Sequence, residues 1–423
     1  MKKICLFLFC LFAFIPLVYG KNITTTKSAK EKNNTIKEED CKKTCLDENC
    51  DENTCAKTSN EAKEDGIIND GKSAILIESS TGKVLYEKNS HDRYAPASMT
   101  KIMSMLIILE SIEKGNLKWN EKLVTSKYAA SMGGSQIFLQ ENEKMSVEDL
   151  FKAVAVGSAN DATIVLAEKV AGSEENFVKK MNEKARSLGL KDTNFKNAVG
   201  LDTANHYSTA YDMAMIAREL IKHEKIFSFT TIYEDYLRQN TDNKFWLVNT
   251  NKLIKTYEGA DGLKTGYTKE AGYCLTATAN RNRMRIIGTI MGSSSSNSRN
   301  ENMKSLLDYG FNNYEMQVEV KQGKTLSKKM MSKAENEVVN IVPIKDASVL
   351  LKKGEEKKSL NYEIKINKVK LPIKKGDIVG ILKLKDGTKV ISTTNLTVKN
   401  DVKKVSILKL YKRSIASVLS GSM

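Results

Sequence analysis

Tyr94-Ala-Pro-Ala-Ser-Met-Thr-Lys-Ile-Met-Ser-Met-Leu-Ile-Ile-Leu-Glu110 places a serine and a lysine at the mouth of a segment that is apolar on nearly every side. Ile102, Met103, Met105, Leu106, Ile107, Ile108, Leu109 and Ile112 leave no polar stripe, and Gly115 supplies a stop. A surface helix would show a polar face, so the pattern predicts a helix from Ser98 to Lys114 buried on most sides. Pro96 suits the turn that enters it. Met99, Met103 and Met105 then read as core packing rather than as a binding surface. Ser98 and Lys101, three residues apart, share one helix face. The dipole at the helix start favours negative charge developing near Ser98, and burial favours the neutral, proton-accepting form of Lys101.

Outward from this helix, Ser73-Ala-Ile-Leu-Ile-Glu78 and Val84-Leu-Tyr-Glu87 flank Ser79-Ser-Thr-Gly82 and read as a hairpin. Helices are predicted at about 146–156, 160–170 and 173–187. The last has Ser173 as its cap, Glu174 and Glu175 in its first turn, and Gly189 just beyond. Thr209-x-x-Asp212 resembles a capping box that opens another helix. Strands return at about 273–279 and 285–291, joined by Asn280-Arg-Asn-Arg283, before a final helix near 299–309. Strand, helices, then strands predict an α+β unit, an antiparallel sheet with helices packed on its faces.

Beyond about Gln317 the texture changes to short β-rich runs, 338–342, 362–369, 378–385 and 388–393, separated by Lys-Gly, Lys-Lys-Gly-Asp and Asp-Gly turns. This predicts a separate small all-β domain, with Lys352-Lys353 and Lys357-Lys358 in solvated turns. The tail from Val402 to Met423 mixes Val405, Ile407, Leu408, Leu410, Ile415, Val418 and Leu419 with Lys403, Lys404, Lys409, Lys412 and Arg413. It reads either as an amphipathic segment lying on an anionic membrane surface or as a last strand with a frayed end.

The whole chain of 423 residues is long enough for two to three domains, and 67 Lys and Arg against 51 Asp and Glu give +16. Lys2 and Lys3, the apolar run from Ile4 to Val18, and Val18-Tyr19-Gly20 form a secretory signal peptide. The apolar run is short of the roughly twenty residues that span a bilayer, which favours cleavage over an uncleaved anchor. From Lys21 to Asp65 almost no large apolar residue occurs, so this stretch is expected to be a disordered linker. Its Cys41, Cys45, Cys50 and Cys55 have no nearby His and suit local disulfides better than zinc. Cys274, in an apolar strand, reads as a buried small hydrophobe. On an exported chain the positive charge suits acidic wall polymers or anionic lipid headgroups rather than nucleic acid, although a plain solvated lysine surface accounts for it equally well.

The chemistry is narrowed by what is scarce. Only His91, His206 and His223 are present, with no Gly-rich phosphate loop and no His-x-x-x-His pair, so neither a metal nor a cofactor is expected. His206 reads as a structural hydrogen-bonder and Trp246 as a packing residue. A serine can still be a nucleophile if a lysine takes its proton, which is the arrangement at Ser98 and Lys101. Ser158-Ala-Asn160 follows about sixty residues on, and Lys264-Thr-Gly266 about one hundred further. The order and spacing of the three fragments resemble the Ser-x-x-Lys, Ser-x-Asn and Lys-Thr-Gly triplet of penicillin-binding proteins and serine β-lactamases.

Within that superfamily the chain is more similar to the low-molecular-mass serine D-alanyl-D-alanine carboxypeptidases. Tyr94 to Lys101, Gly133-Gly-Ser-Gln-Ile-Phe-Leu139, Asn197-Ala-Val-Gly-Leu201 and Asp261-Gly-Leu-Lys-Thr-Gly-Tyr-Thr268 carry the resemblance, which covers about Ile67 to Glu315 and extends to the β domain behind. It implies that Ser98 attacks the carbonyl between two D-alanines while Lys101 accepts its proton. Ser158 would relay a proton to the leaving D-alanine, and Asn160 would hold Lys101 and the substrate amide. Lys264 would add positive charge, Thr265 with Thr268 would bind the terminal carboxylate, and Gly266 belongs to the same motif. The backbone N–H groups of Ser98 and Tyr267 would bind the oxyanion. Tyr267 replaces a histidine of some relatives, which matters little if only its backbone is used. The second carboxylate-binding arginine of some members has no firm counterpart, Arg299 being the candidate. No Glu stands in a class A β-lactamase deacylation motif between Ser158 and Lys264, which argues against fast penicillin hydrolysis.

The expected division is a signal peptide over 1–20, a linker over 21–65, a catalytic domain over 66–315 with the DD-peptidase and β-lactamase type of fold, a β domain over 316–400 and a tail over 401–423. The expected function is trimming the terminal D-alanine from peptidoglycan stem pentapeptides, with β-lactam antibiotics as inhibitors, at the outer face of the membrane or in the wall. A serine β-lactamase, a D,D-endopeptidase and a catalytically idle wall-binding or penicillin-sensing protein are the alternatives.

Overall fold

The computed structural model describes residues 66–419. The segments expected to be a signal peptide and a linker, the latter with Cys41, Cys45, Cys50 and Cys55, lie outside the described residues. β1 (Ser73–Glu78) and β2 (Val84–Lys88) form the hairpin expected from the sequence. A 3-10 turn over Ala97–Thr100 leads into α1 (Lys101–Glu113), so Ser98 stands in a tight turn ahead of the α-helix rather than within it. α2 (Val147–Lys152) runs into a π-helical turn, Ala153–Gly157, and α3 (Asn160–Ala171), α4 (Glu174–Ser187) and α5 (Ala210–Leu220) follow. The caps lie where the sequence places them: Ser173 Oγ accepts from the Asn176 N–H and Thr209 Oγ1 from that of Asp212.

A short hairpin of β3 (Glu234–Leu237) and β4 (Phe245–Val248) precedes three long strands, β5 (Ala260–Thr268), β6 (Gly272–Arg281) and β7 (Met284–Ser293), and then α6 (Ser296–Asn313). The main sheet has the order β2-β1-β7-β6-β5 and is antiparallel throughout. β5 is therefore an edge strand. Both faces of the sheet are covered, which explains why β1 is apolar without alternation. Ile75 and Ile77 pack with Met99, Ile102 and Ile216 of the helical side, while Ala74 and Leu76 pack with Met303 and Leu306 of α6. Met99, Met103, Met105 and Cys274 are all buried, as the sequence predicts. Glu78 closes β1 as a buried carboxylate. It accepts hydrogen bonds from the N–H and hydroxyl of both Ser80 and Thr81, at 2.6 to 2.8 Å.

Trp246 departs from expectation. It is 56% exposed on the outer side of β4, because its neighbour Leu247 is the residue that points inward.

The C-terminal part is all β up to its tail: β8 (Tyr314–Val320), β9 (Ser327–Met330), β10 (Val338–Pro343), β11 (Ala347–Lys352), β12 (Asn361–Ile366), β13 (Gly380–Asp386) and β14 (Lys389–Val398). β8 pairs with β11, and the others form a sheet in the order β9-β10-β14-β13-β12 around a core that includes Val320, Ile341, Leu382 and Leu396. An ion pair at 2.6 Å between Arg283, in the β6–β7 turn, and Asp346 ties it to the main sheet. After bridges at Val402 and Lys404 the tail becomes a helix, α7 (Ile407–Leu419), in place of a last strand. Arg413 donates to the carbonyls of Ala334 and Glu335, and Ile407, Leu408, Tyr411 and Ile415 stay exposed. Among the described residues no helix is long and apolar enough to cross a membrane.

Candidate active site

The turn that carries Ser98 is held in an unusual shape. Ala97 has φ +48°, a region costly for a residue with a Cβ. The loop after α4 presses against it: a Cβ on Gly200, which has φ +85°, would lie 1.8 Å from the Ala97 carbonyl oxygen. From the sheet side, a Cβ on Gly266 would lie 2.8 Å from the Pro96 carbonyl oxygen. Only glycine permits these approaches, and they set β5 and the 197–201 loop on two sides of Ser98.

Lys101, the first residue of α1, is fully buried, and among the described residues no carboxylate bonds to it. Its Nζ lies 3.1 Å from Ser98 Oγ and 2.7 Å from the Val199 carbonyl oxygen. Burial, and then the charge of Lys264, push its pKa well below the ordinary lysine value, against a smaller opposing pull from Asp161. The neutral amine has a lone pair that can take the Ser98 proton. The Val199 carbonyl is presented by a loop wound on one side chain. Asn197 Oδ1 accepts from the N–H groups of Val199, Gly200 and Leu201, while Ser104 Oγ donates to Ala198 O and Glu174 accepts from Ala198 N–H. The sequence marks Asn197 to Leu201 as a shared stretch but gives no hint that a main-chain carbonyl in it would hold the lysine.

Ser158 caps the π-helical turn in left-handed backbone, φ +63°, which turns its side chain into the site. Its Oγ and Asn160 Oδ1 are buried with no hydrogen-bond partner among the described residues. The expectation that Asn160 holds Lys101 is corrected here, since Val199 does so. Asn160 instead fixes the neighbouring loop, donating from Nδ2 to Gly133 O and from its backbone N–H to Ser135 O, both at 2.7 Å. Two unpaired polar atoms inside a cleft mark a place where a ligand's polar groups fit.

Along β5, Lys264 is buried and donates to the Thr265 carbonyl at 3.1 Å. Burial, followed by the charge of Arg299, lowers its pKa to about 7. Thr265 Oγ1 donates to Thr250 Oγ1 at 2.8 Å. Sequence reasoning passed over Thr250 because it lies in the segment after β4 and meets Thr265 only through the fold. Tyr267 is largely exposed, with its ring 4.3 Å from that of Tyr273. Thr268 Oγ1 accepts from Ala271 N–H, which caps the β5–β6 turn. Arg299 is buried near Lys264 and donates to Asn300 Oδ1. His206 is the structural hydrogen-bonder expected. Its Nδ1 accepts from Lys196 N–H, which leaves Nε2 to donate to Thr100 Oγ1, and burial lowers its pKa to about 4. Among the described residues no group of acidic, His and Cys side chains is arranged to hold a metal.

Residues 58–295 match the D-alanyl-D-alanine carboxypeptidase family and residues 314–404 match the C-terminal domain of penicillin-binding protein 5. The chain is 49% identical over 360 residues to D-alanyl-D-alanine carboxypeptidase DacF of Bacillus subtilis (strain 168), a match that covers 84% of this chain and 92% of the relative. Penicillin binding protein 5 from Haemophilus influenzae shares the fold with a TM-score of 0.60 at 30% identity, over 79% of this chain and 98% of that one. Penicillin-binding protein D2 from Listeria monocytogenes, solved in an ampicillin-bound form, is similar over 57% of this chain and 97% of its own, with a TM-score of 0.52 at 31% identity. Because the family match spans more than half of the chain and the Bacillus relative is matched along nearly its whole length, the chain belongs to the D-alanyl-D-alanine carboxypeptidase family.

Proposed function

We propose that this protein is a penicillin-sensitive serine carboxypeptidase that removes the terminal D-alanine from peptidoglycan stem pentapeptides. The observation that carries the reading is the buried Lys101, 3.1 Å from Ser98 Oγ and without a bonded carboxylate. The neutral amine takes the Ser98 proton as Oγ bonds to the carbonyl carbon of the penultimate D-alanine. The oxyanion is met by the backbone N–H groups of Ser98 and Tyr267, each such donor being worth about 2.7 to 4 kcal/mol in other hydrolases. As the amide C–N bond breaks, the proton on Lys101 passes through Ser158 to the leaving amine. Water then attacks the ester as Lys101 takes its proton, and Lys101 passes that proton to Ser98 Oγ as the ester C–O bond breaks, which frees the shortened peptide and restores the neutral amine.

The free edge of β5 pairs with the extended peptide as an added strand. Asn160 Oδ1 accepts from a substrate amide, while Lys264 and Thr265 receive the terminal carboxylate; Gly266 lets β5 come close to the Ser98 turn. Thr268 serves by capping the turn that shapes β5, and Arg299 adds positive charge nearby. Penicillin acylates Ser98 and turns over slowly. Removing the terminal D-alanine takes away the acyl donor for crosslinking, so the enzyme limits crosslink density. The division at about residues 66–315 and 316–400 separates this chemistry from a β domain.

The apolar run Ile4 to Val18 supports export to the outer face of the membrane or the wall. The exposed stripe Ile407, Leu408, Tyr411 and Ile415, with Lys409 and Lys412, supports contact of α7 with an anionic membrane surface.

The test is D-alanine release from a stem pentapeptide by the chain from Lys21, beside Ser98→Ala. Release that disappears in the variant is expected. A folded protein that releases none, or that turns penicillin over rapidly, would overturn the reading.

A further inference from the structure

Phe138, in the loop whose Gly133 carbonyl bonds Asn160, is an exposed apolar side chain. It is 61% exposed and its backbone is left-handed, φ +56°, a conformation costly for a bulky residue. Its flanks are fixed. Asp161 accepts from the N–H groups of Ile137 and Leu139, both of which are buried, and Arg238 donates to Ile137 O and to the Glu143 carboxylate. With the two neighbours turned inward, the ring is forced outward. It meets Phe245 of β4, ring centroids 6.0 Å apart. This aromatic pair joins the loop that bonds Asn160 to the hairpin whose exit, at Thr250, bonds Thr265. The pair thus sits on two segments that each bond a residue of the site, and the backbone on both sides of Phe138 is bonded to Asp161, the neighbour of Asn160.

We propose that the Phe138 ring, backed by Phe245, is a specificity-determining contact on the acyl side of the substrate, where it receives the aliphatic side chain of the residue that precedes the D-alanine pair. The inference rests on the carboxypeptidase reading. A peptide paired along β5 with its terminal carboxylate at Lys264 and Thr265 extends back past Ser98, and alternate side chains of an added strand point to opposite walls. A fixed aromatic wall fits a chain of methylenes, which it removes from water without forming a directional bond. Fixing the loop beforehand means that the contact costs little ordering when the peptide binds.

The test uses the exported chain and two blocked tripeptides, one with lysine and one with glycine before D-Ala-D-Ala. The unaltered protein is expected to favour the lysine peptide in kcat/KM by about tenfold, the scale on which a pocket senses a few methylenes. Phe138→Ala should bring the two within about twofold by lowering the lysine peptide alone, and Phe138→Tyr should keep the preference. Equal losses on both peptides, or a preference indifferent to Phe138→Ala, would overturn the contact. Absence of D-alanine release by the unaltered protein from either peptide would instead overturn the functional reading beneath it.

Discussion

The two lobes of this protein use lysine in opposite ways. Residues 66–315 carry 32 Lys and Arg against 30 Asp and Glu, whereas residues 316–423 carry 24 against 10, so nearly all of the net charge of +16 lies behind the catalytic lobe. In the first lobe the two lysines that matter, Lys101 and Lys264, are buried, and each has its pKa lowered by burial and by a neighbouring cation. In the second, the described lysines lie at the surface and, among the described residues, Lys358, Lys385 and Arg413 are the ones in ion pairs. The difference is one of range. A buried lysine acts on atoms in contact with it through its proton affinity, while an exposed excess of charge acts over about a Debye length, near 8 Å at physiological salt.

The contrast is broken most directly inside the site. Ser98→Ala is expected to abolish D-alanine release, and Lys101→Met to reduce it by about 10²–10⁴-fold, the range of a general base, as read in single-turnover assays. Lys264→Ala should lower kcat/KM by about 10²–10³-fold while the protein still folds, which thermal unfolding would establish.

The pH profile sharpens the same point. In the free protein the pKa of Lys264 is lowered to about 7, so kcat/KM is expected to fall above that pH as the cation for the substrate carboxylate is lost. Lys264→Arg, which stays charged, should extend the plateau to higher pH at reduced height. Stability should move the other way. A lysine whose pKa falls from 10.5 to about 7 on folding binds fewer protons in the folded state between those values, so stability rises with pH across that window. Urea unfolding at pH 7 and 9 should show the slope, and Lys264→Met should flatten it.

Smaller effects lie further from the bond that breaks. Thr250→Val should raise KM several-fold with little change in kcat, and Thr250→Ser should restore it, if Thr250 positions Thr265 through their 2.8 Å hydrogen bond. The least effect on turnover is expected from replacing Lys403, Lys404, Lys409 and Lys412 together by serine. Release from a soluble peptide should stay within about twofold, while sedimentation with anionic vesicles falls, at about 1 kcal/mol for each lysine near the surface.

Much of this was legible because the motifs are local. Ser98 and Lys101 are three residues apart, and Ser158 and Asn160 are two apart, so each spacing is a statement about one turn of chain. The hairpin at Ser73 to Glu87 shows in the same way, whereas the strand edge at Lys264 follows only from the family resemblance. What escaped was contact made across long sequence separation. Val199 reaches Lys101 and Thr250 reaches Thr265 only after the sheet and helices have packed, and a main-chain carbonyl has no identity in a sequence. The exposure of Trp246 escaped for a related reason, since its neighbour Leu247 is as apolar and only the pleat decides which points inward. At the tail, Ile407 to Leu419 fits a helix face as well as a strand end, and Arg413 bonding to the β9–β10 turn goes with the helix.

The buried carboxylate of Glu78 has a consequence for the route by which the chain folds. β1 is apolar at four successive positions, so hydrophobicity alone does not distinguish its correct alignment from one shifted by a residue. The four donors of Ser80 and Thr81 lie two and three residues beyond Glu78, so they satisfy its carboxylate within the turn itself, before any strand has paired. Glu78 thus acts as a local clamp: it lets a carboxylate be buried at the end of an apolar strand and fixes where that strand stops and the chain reverses toward β2.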